Sequence, residues 1–238
     1  MKIKLSLSFL IGLFTALMVQ AQISHQVFDE LLQKHVSQTG RVNYKGFKAD
    51  EAKLDKYLTV LKTNHPNKKT WSKDERLSYW INAYNAFTIK AILEEYPIQS
   101  ITELADGNIW DVKWIKIGTN TYSLNGIEHE IIRTNFKEPR IHFAVNCAAN
   151  SCPPLLNQAY NAANLEQQLQ EQATAFINNR NFNVLGPNDL VLSKIFEWYA
   201  DDFGSLQAYV NPFTRIRIAP NASITFAPYD WSLNQVNK

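Results

Sequence analysis

The sequence predicts a single α+β domain, with a largely buried central helix packed on a small, mostly antiparallel sheet. Three observations point there. Apolar residues recur at helical spacing in several segments. Short β-branched or aromatic runs lie between those segments, bounded by turn residues. The two kinds of segment are interspersed without the strict alternation that a doubly wound parallel sheet would need.

Residues 1–21 read as a signal peptide. Met1 to Lys4 is a short basic start, Leu5 to Val19 is an apolar run, and Val19-Gln20-Ala21 offers small residues for a cut before Gln22. The run is short and polar sequence follows at once, so a membrane anchor is not expected after cleavage. The expected product is exported, periplasmic or extracellular, with one domain over 22–238. Cleavage removes Lys2 and Lys4 and leaves the basic residues equal in number to the 22 acidic ones. No basic cluster survives, which argues against a nucleic-acid partner.

His25 to Val36 has Val27, Leu31 and Leu32 on one face and reads as an amphipathic helix ended by Thr39-Gly40. Val42-Asn43-Tyr44 reads as a short extended piece, and Glu51 to Lys62 as a second helix with Leu54, Tyr57, Leu58 and Leu61 inward. The central helix is capped by Ser72 or Asp74 and runs to about Tyr96, ahead of Pro97. It is apolar nearly all round, so it should be buried nearly all round. Asn82 and Asn85 lie on one side of it. Buried amides must be hydrogen-bonded, so they either pin a neighbouring loop or serve a site.

Trp110 to Ile117 and Thr121 to Leu124 read as strands around Gly118-Thr119-Asn120, followed by a short helix from Asn125 to Arg133. Ile141 to Val145 has strand composition. Asn146 to Ser151 is small and polar, and Pro153-Pro154 forces an extended exit. That arrangement delivers Cys147 to a bend at the end of a strand. Asn164 to Asn178 reads as a helix, Leu190 to Leu192 as a strand, and Ile195 to Tyr199 as a short helix capped by Ser193. Arg215 to Ile218 and Ser223 to Phe226 read as a hairpin.

Several stretches together resemble the bacterial and plant family known as domain of unknown function 547. They are Tyr79 to Phe87, Ser123 to His129, Arg140 to Ala149 and Tyr229-Asp230-Trp231. Gly40 to Tyr44 and Trp198 to Phe203 match more weakly. The chain departs from the family pattern at Asn43 and Gly126, where the family favours aspartate. The resemblance implies that Cys147 is the recurrent cysteine and Cys152 the optional one. It implies no established activity.

The residues allow four readings. Cys147 can be a nucleophile if a base lies within reach and a third group orients that base. His129 is the preferred base and His142 the second, because strand alternation would turn His142 away from Cys147. Glu128 or Asp230 would orient the base, with Asn82 and Asn85 in support. Every histidine precedes Cys147, so a nucleophile-then-histidine order is impossible. The second reading is a Cys147–Cys152 disulfide. The third, a metal site at His129, His142 and the cysteines, lacks a spacing signature, so no metal or cofactor is expected. The fourth is a non-catalytic envelope-binding domain, stapled by that disulfide, with a groove of Trp80, Asn82, Asn85, His129 and Trp231. The preferred expectation is an exported cysteine-type hydrolase or acyl-transfer enzyme acting on an unidentified envelope or extracellular substrate.

Overall fold

A computed structural model describes residues 23–236. The leader expected at 1–21 and its cut before Gln22 lie outside these residues. Among the described residues no helix is long and apolar enough to cross a membrane.

The chain opens with α1 (Gln26–His35), α2 (Tyr44–Ala49) and α3 (Glu51–Thr63). The sequence reading has no α2, because it takes Val42 to Tyr44 as extended. Asn43 instead caps α2 by accepting from the Gly46 N–H at 2.9 Å, and only Val42 remains in a bridge. The central helix, α4, spans Lys73–Glu95. Ser72 and Glu75 form a reciprocal capping box at its start. Helices α2, α3 and α4 pack on one another, and sixteen of the 23 residues of α4 are buried.

β1 (Ile115–Ile117) and β2 (Asn120–Tyr122) form a hairpin. A wide π-helical segment then runs from Gly126 to Arg133 and leads into α5 (Thr134–Phe136). The segment expected as a strand at Ile141 to Val145 is instead a 3₁₀ turn over Pro139–Phe143. The local reason is at its start. Glu138 accepts from the Arg140 N–H, and Pro139 sits where a helix tolerates a missing donor. Apolar composition does not distinguish a buried strand from a buried turn of helix.

After α6 (Leu165–Ile177), β3 (Val184–Leu185) pairs antiparallel with β4 (Asp189–Leu192). Helices α7 (Lys194–Trp198), α8 (Ala200–Phe203) and α9 (Leu206–Val210) follow. β5 (Ser223–Phe226) pairs parallel with β4, not with 215–218, so the expected hairpin does not form. The α+β class stands, with half of its three-stranded sheet parallel. One apolar cluster gathers the helices up to α6 around α4, and a second gathers Phe143, Phe176, Phe196, Phe203 and the sheet.

The tail stitches these parts together. Leu233 N–H donates to Gln99, Asn234 N–H to Ala148 and Val236 N–H to Val42, at 2.8, 3.0 and 3.0 Å. Asn85 on α4 fixes the same region from the other side. Its amide donates to the Ala144 carbonyl at 3.0 Å and accepts from the Asn146 N–H at 2.8 Å. Replacing Asn85 by Ala leaves two buried backbone groups unpaired, so it should cost on the order of 3 kcal/mol in equilibrium denaturation. A cost within experimental error of zero would show that this pairing does not hold the loop.

Candidate functional site

A cleft of about 200 Å³ opens where the two apolar clusters meet. α4 contributes Tyr84, the loop before β1 contributes Trp110 and Asp111, and Asn125 comes from the start of the π-helix. The π-helix supplies Glu128, the 3₁₀ turn His142, and the following loop Val145, Cys147 and Cys152. α7 and its C-cap add Ile195, Trp198 and Tyr199, and the tail adds Tyr229 and Trp231.

Cys147 sits in a tight bend. Ala148 follows at φ +64° and turns the chain back. The loop amides face inward. The Cys147 N–H donates to Cys152 Sγ at 2.9 Å, and the Ala148 N–H to Asn146 Oδ1 at 3.0 Å. Tyr229 Oη lies 3.2 Å from Cys147 Sγ. Both cysteines are free thiols. Hydrogen bonds from the Cys152 thiol, from Tyr229 and from the Ala149 N–H hold the Cys147 thiol below its ordinary value, against burial and the nearby Glu128. Cys152 moves the other way, pushed up first by burial and then by its bond to Cys147. The asymmetry marks Cys147 as the sulfur that ionises.

His142 is on the cleft floor, almost fully buried. Its Nε2 lies 2.7 Å from Asp202 Oδ2, and its ring stacks on Tyr199 with centroids 3.8 Å apart. Arg133 holds Asp202 with two further hydrogen bonds, at 2.6 and 2.9 Å. That pairing, with His142 adding to it, lowers the Asp202 carboxyl to about 2. An ionised Asp202 accepts the proton on His142 Nε2, which leaves the lone pair on Nδ1. Nδ1 is buried with no hydrogen-bond partner and lies 3.9 Å from Glu128 Oε1. Burial keeps His142 below its ordinary value, although Glu128 and Asp202 act to raise it.

Glu128 is buried and inward. The wide winding of Gly126–Arg133 places it there, whereas an ordinary α-helical reading leaves it as a cap. Its charge acts on Tyr199, Tyr84, Cys147 and His142.

Residues 68–177 match a family model described as "Protein of unknown function, DUF547". Over this segment the chain is similar to DUF547. No curated protein matches the chain, and no solved structure does. The matched segment carries α4, Glu128, His142 and both cysteines. Asp202, Tyr199, Tyr229 and Trp231 come to the cleft from beyond it.

Of the residues singled out from sequence, the structure brings Cys147, His142, Glu128 and Trp231 to this cleft. His129 is not among its lining residues. His129 Nδ1 lies 3.2 Å from an Arg133 guanidinium nitrogen, one turn along the same segment. Asp230 orders the tail by accepting from Asn150, Ser232 N–H and the Ser232 hydroxyl. Asn82 pairs with both backbone groups of Tyr160, at 2.7 and 2.9 Å, and Asn85 with the Cys147 loop. Both amides therefore pin loops. Trp80 packs edge-on against Tyr79 and Tyr122. Asp202, Tyr199 and Tyr229 escape the sequence reading as site residues, although they fall within or at the edge of stretches it singles out. Among the described residues, no three His, Cys, Asp or Glu side chains converge as a metal-binding group would.

The buried neutral imidazole has a thermodynamic consequence. His142 lies below its ordinary value of 6.5 when folded, so the unfolded chain binds a proton that the folded chain refuses. Stability contributed this way is present above about pH 6.5 and falls as pH drops, by at most about 1.4 kcal/mol per pH unit. His142→Phe should flatten the fall in unfolding free energy between about pH 7.5 and 5.5. His25, lowered to about 4 by burial, acts with the same sign and stays in both proteins. Equal slopes in the two proteins would contradict the assignment.

Proposed function

We propose that the cleft is the active site of a cysteine-type hydrolase or acyl-transfer enzyme. The observation that carries the reading is the arrangement of Cys147 and His142 in one cleft. The thiol is biased toward ionisation, and the imidazole has one nitrogen anchored on Asp202 and the other unpartnered.

In this reading His142 Nδ1 takes the thiol proton as the Cys147 sulfur bonds the acyl carbon. It returns that proton to the leaving group as the carbon–leaving-group bond breaks. Water or another acceptor then attacks the thioester, with His142 again as base. Asp202 fixes the tautomer, and the Glu128 carboxylate stabilises the imidazolium across 3.9 Å. The Cys147 and Ala148 N–H groups are already committed within the loop. Tyr84, which lines the cleft, and Tyr229, once its hydroxyl leaves the Cys147 sulfur, are the donors offered to a developing oxyanion.

The lining has Asp111 and Glu128 but no lysine or arginine. That charge pattern disfavours anionic substrates and suits neutral or cationic acyl compounds. Export, as the sequence predicts, would place the substrate in the envelope or outside the cell. A second reading, a binding domain, is favoured by one observation: Trp198 and Trp231 at the rim are 46% and 37% exposed. The two part on covalent chemistry.

Incubation with p-nitrophenyl acetate, followed by mass spectrometry of the quenched protein, should show an acetyl group on Cys147. His142→Gln should slow its formation by about 10²–10⁴-fold, and Cys147→Ala should abolish it. Acetylation spread over lysines, with none on Cys147, would reject the enzyme reading in favour of the binding domain.

A further inference from the structure

Cys152 is a buried nucleophilic group that the acyl-transfer reading does not use. Its sulfur lies 2.9 Å from the Cys147 backbone nitrogen, in contact with the bend that carries the other thiol. Both residues line the same cleft. Cys152 Sγ is also directed at the Val145 carbonyl, at 4.0 Å, so it lies across the loop from Val145 to Cys147. Pro153 and the tail contacts at Asn150 and Ser151 fix the chain around it. A bond between the sulfurs would close a short loop whose ends already touch.

We propose that Cys147 and Cys152 are a reversible dithiol–disulfide pair, closed by exchange with a small-molecule disulfide that enters the cleft. The Cys147 thiolate attacks one sulfur of the disulfide RSSR. A Cys147–S–S–R bond forms, the old S–S bond breaks, and RS⁻ leaves. Cys152 then loses its proton and attacks Cys147 Sγ. The Cys147–Cys152 bond forms, and the second R group leaves as RS⁻. Both RS⁻ groups take up the protons released by the two cysteines, so one RSSR becomes two RSH. The order follows from access. Cys147 is partly exposed at the cleft, whereas Cys152 is 5% exposed. The bias of Cys147 toward thiolate and of Cys152 toward thiol agrees with these roles. Resting on the acyl-transfer reading, closure also removes the nucleophile, so oxidation would switch that activity off.

The test uses the full chain, oxidised glutathione and mass spectrometry after acid quench. Wild-type protein should lose two hydrogens, peptide mapping should place the bond between Cys147 and Cys152, and dithiothreitol should reverse it. Cys152→Ser should instead accumulate glutathione on Cys147, and Cys147→Ser should leave Cys152 unmodified. Three results would overturn the pair: glutathione retained on wild-type Cys147 with Cys152 still reduced, no reaction at either thiol, or glutathione on Cys152 in Cys147→Ser. The wild-type time course decides the matter even if a variant folds poorly. Closure without acetyl transfer by the reduced protein would keep the pair and remove the enzyme. Acetyl transfer without closure would do the reverse.

Discussion

The site depends on the side-chain amide of Asn85. It binds the carbonyl of Ala144 and the N–H of Asn146, the residues on either side of Val145, and so fixes the approach to Cys147. Beyond Asn146 the loop pairs with the tail instead, through the Ala149–Leu233 bridge and the Asn150 and Ser151 N–H groups. The amide can do this because α4 is rigid, capped and buried on nearly all sides. A buried amide without partners would destabilise that helix, and buried loop carbonyls without partners would destabilise the loop. Each supplies what the other lacks. The tail completes the arrangement: Asn234 accepts from the Tyr44 hydroxyl and donates to Asn146 Oδ1.

A loop held this way directs its polar groups toward its own sulfurs. The Cys147 N–H faces Cys152 Sγ, and the Ala149 N–H faces Cys147 Sγ. The thiol is thus stabilised as an anion without a cation beside it. The cleft lies on the seam between two apolar clusters, and its walls come from segments far apart in sequence. Tyr199, packed on the second cluster, and Asp202 of α8 reach His142. Tyr84 and Val145 from the first face them. Such a seam can exclude water while leaving an aromatic mouth open at Trp198 and Trp231, and water exclusion strengthens the electrostatic terms inside.

Much of this could be read from sequence where the signal is local. The Ser72–Glu75 box, the all-round apolar pattern of α4 and the need to satisfy Asn82 and Asn85 all follow from residue type and spacing. The orientation of His142 could not be read so. Ile141-His142-Phe143 fits a strand as well as a turn, and the alternation rule then aims the imidazole away from Cys147. The 3₁₀ turn set by Glu138 and Pro139 reverses that conclusion. Glu128 was obscured in the same way, because a π-helical winding shifts each residue around the axis relative to an α-helix. Asp202 lies 60 residues from His142, a pairing that no local period encodes.

The chemistry of the cleft turns on the Cys147 thiol lying below its ordinary value because of its loop. The direct measurement is the rate of iodoacetamide alkylation at Cys147 across pH, read by peptide mass spectrometry. The profile should have its midpoint below that of a free thiol, about 8.5, and Tyr229→Phe should move it upward by removing one donor to the sulfur. A wild-type midpoint at or above the free-thiol value, unchanged in Tyr229→Phe, would contradict the account.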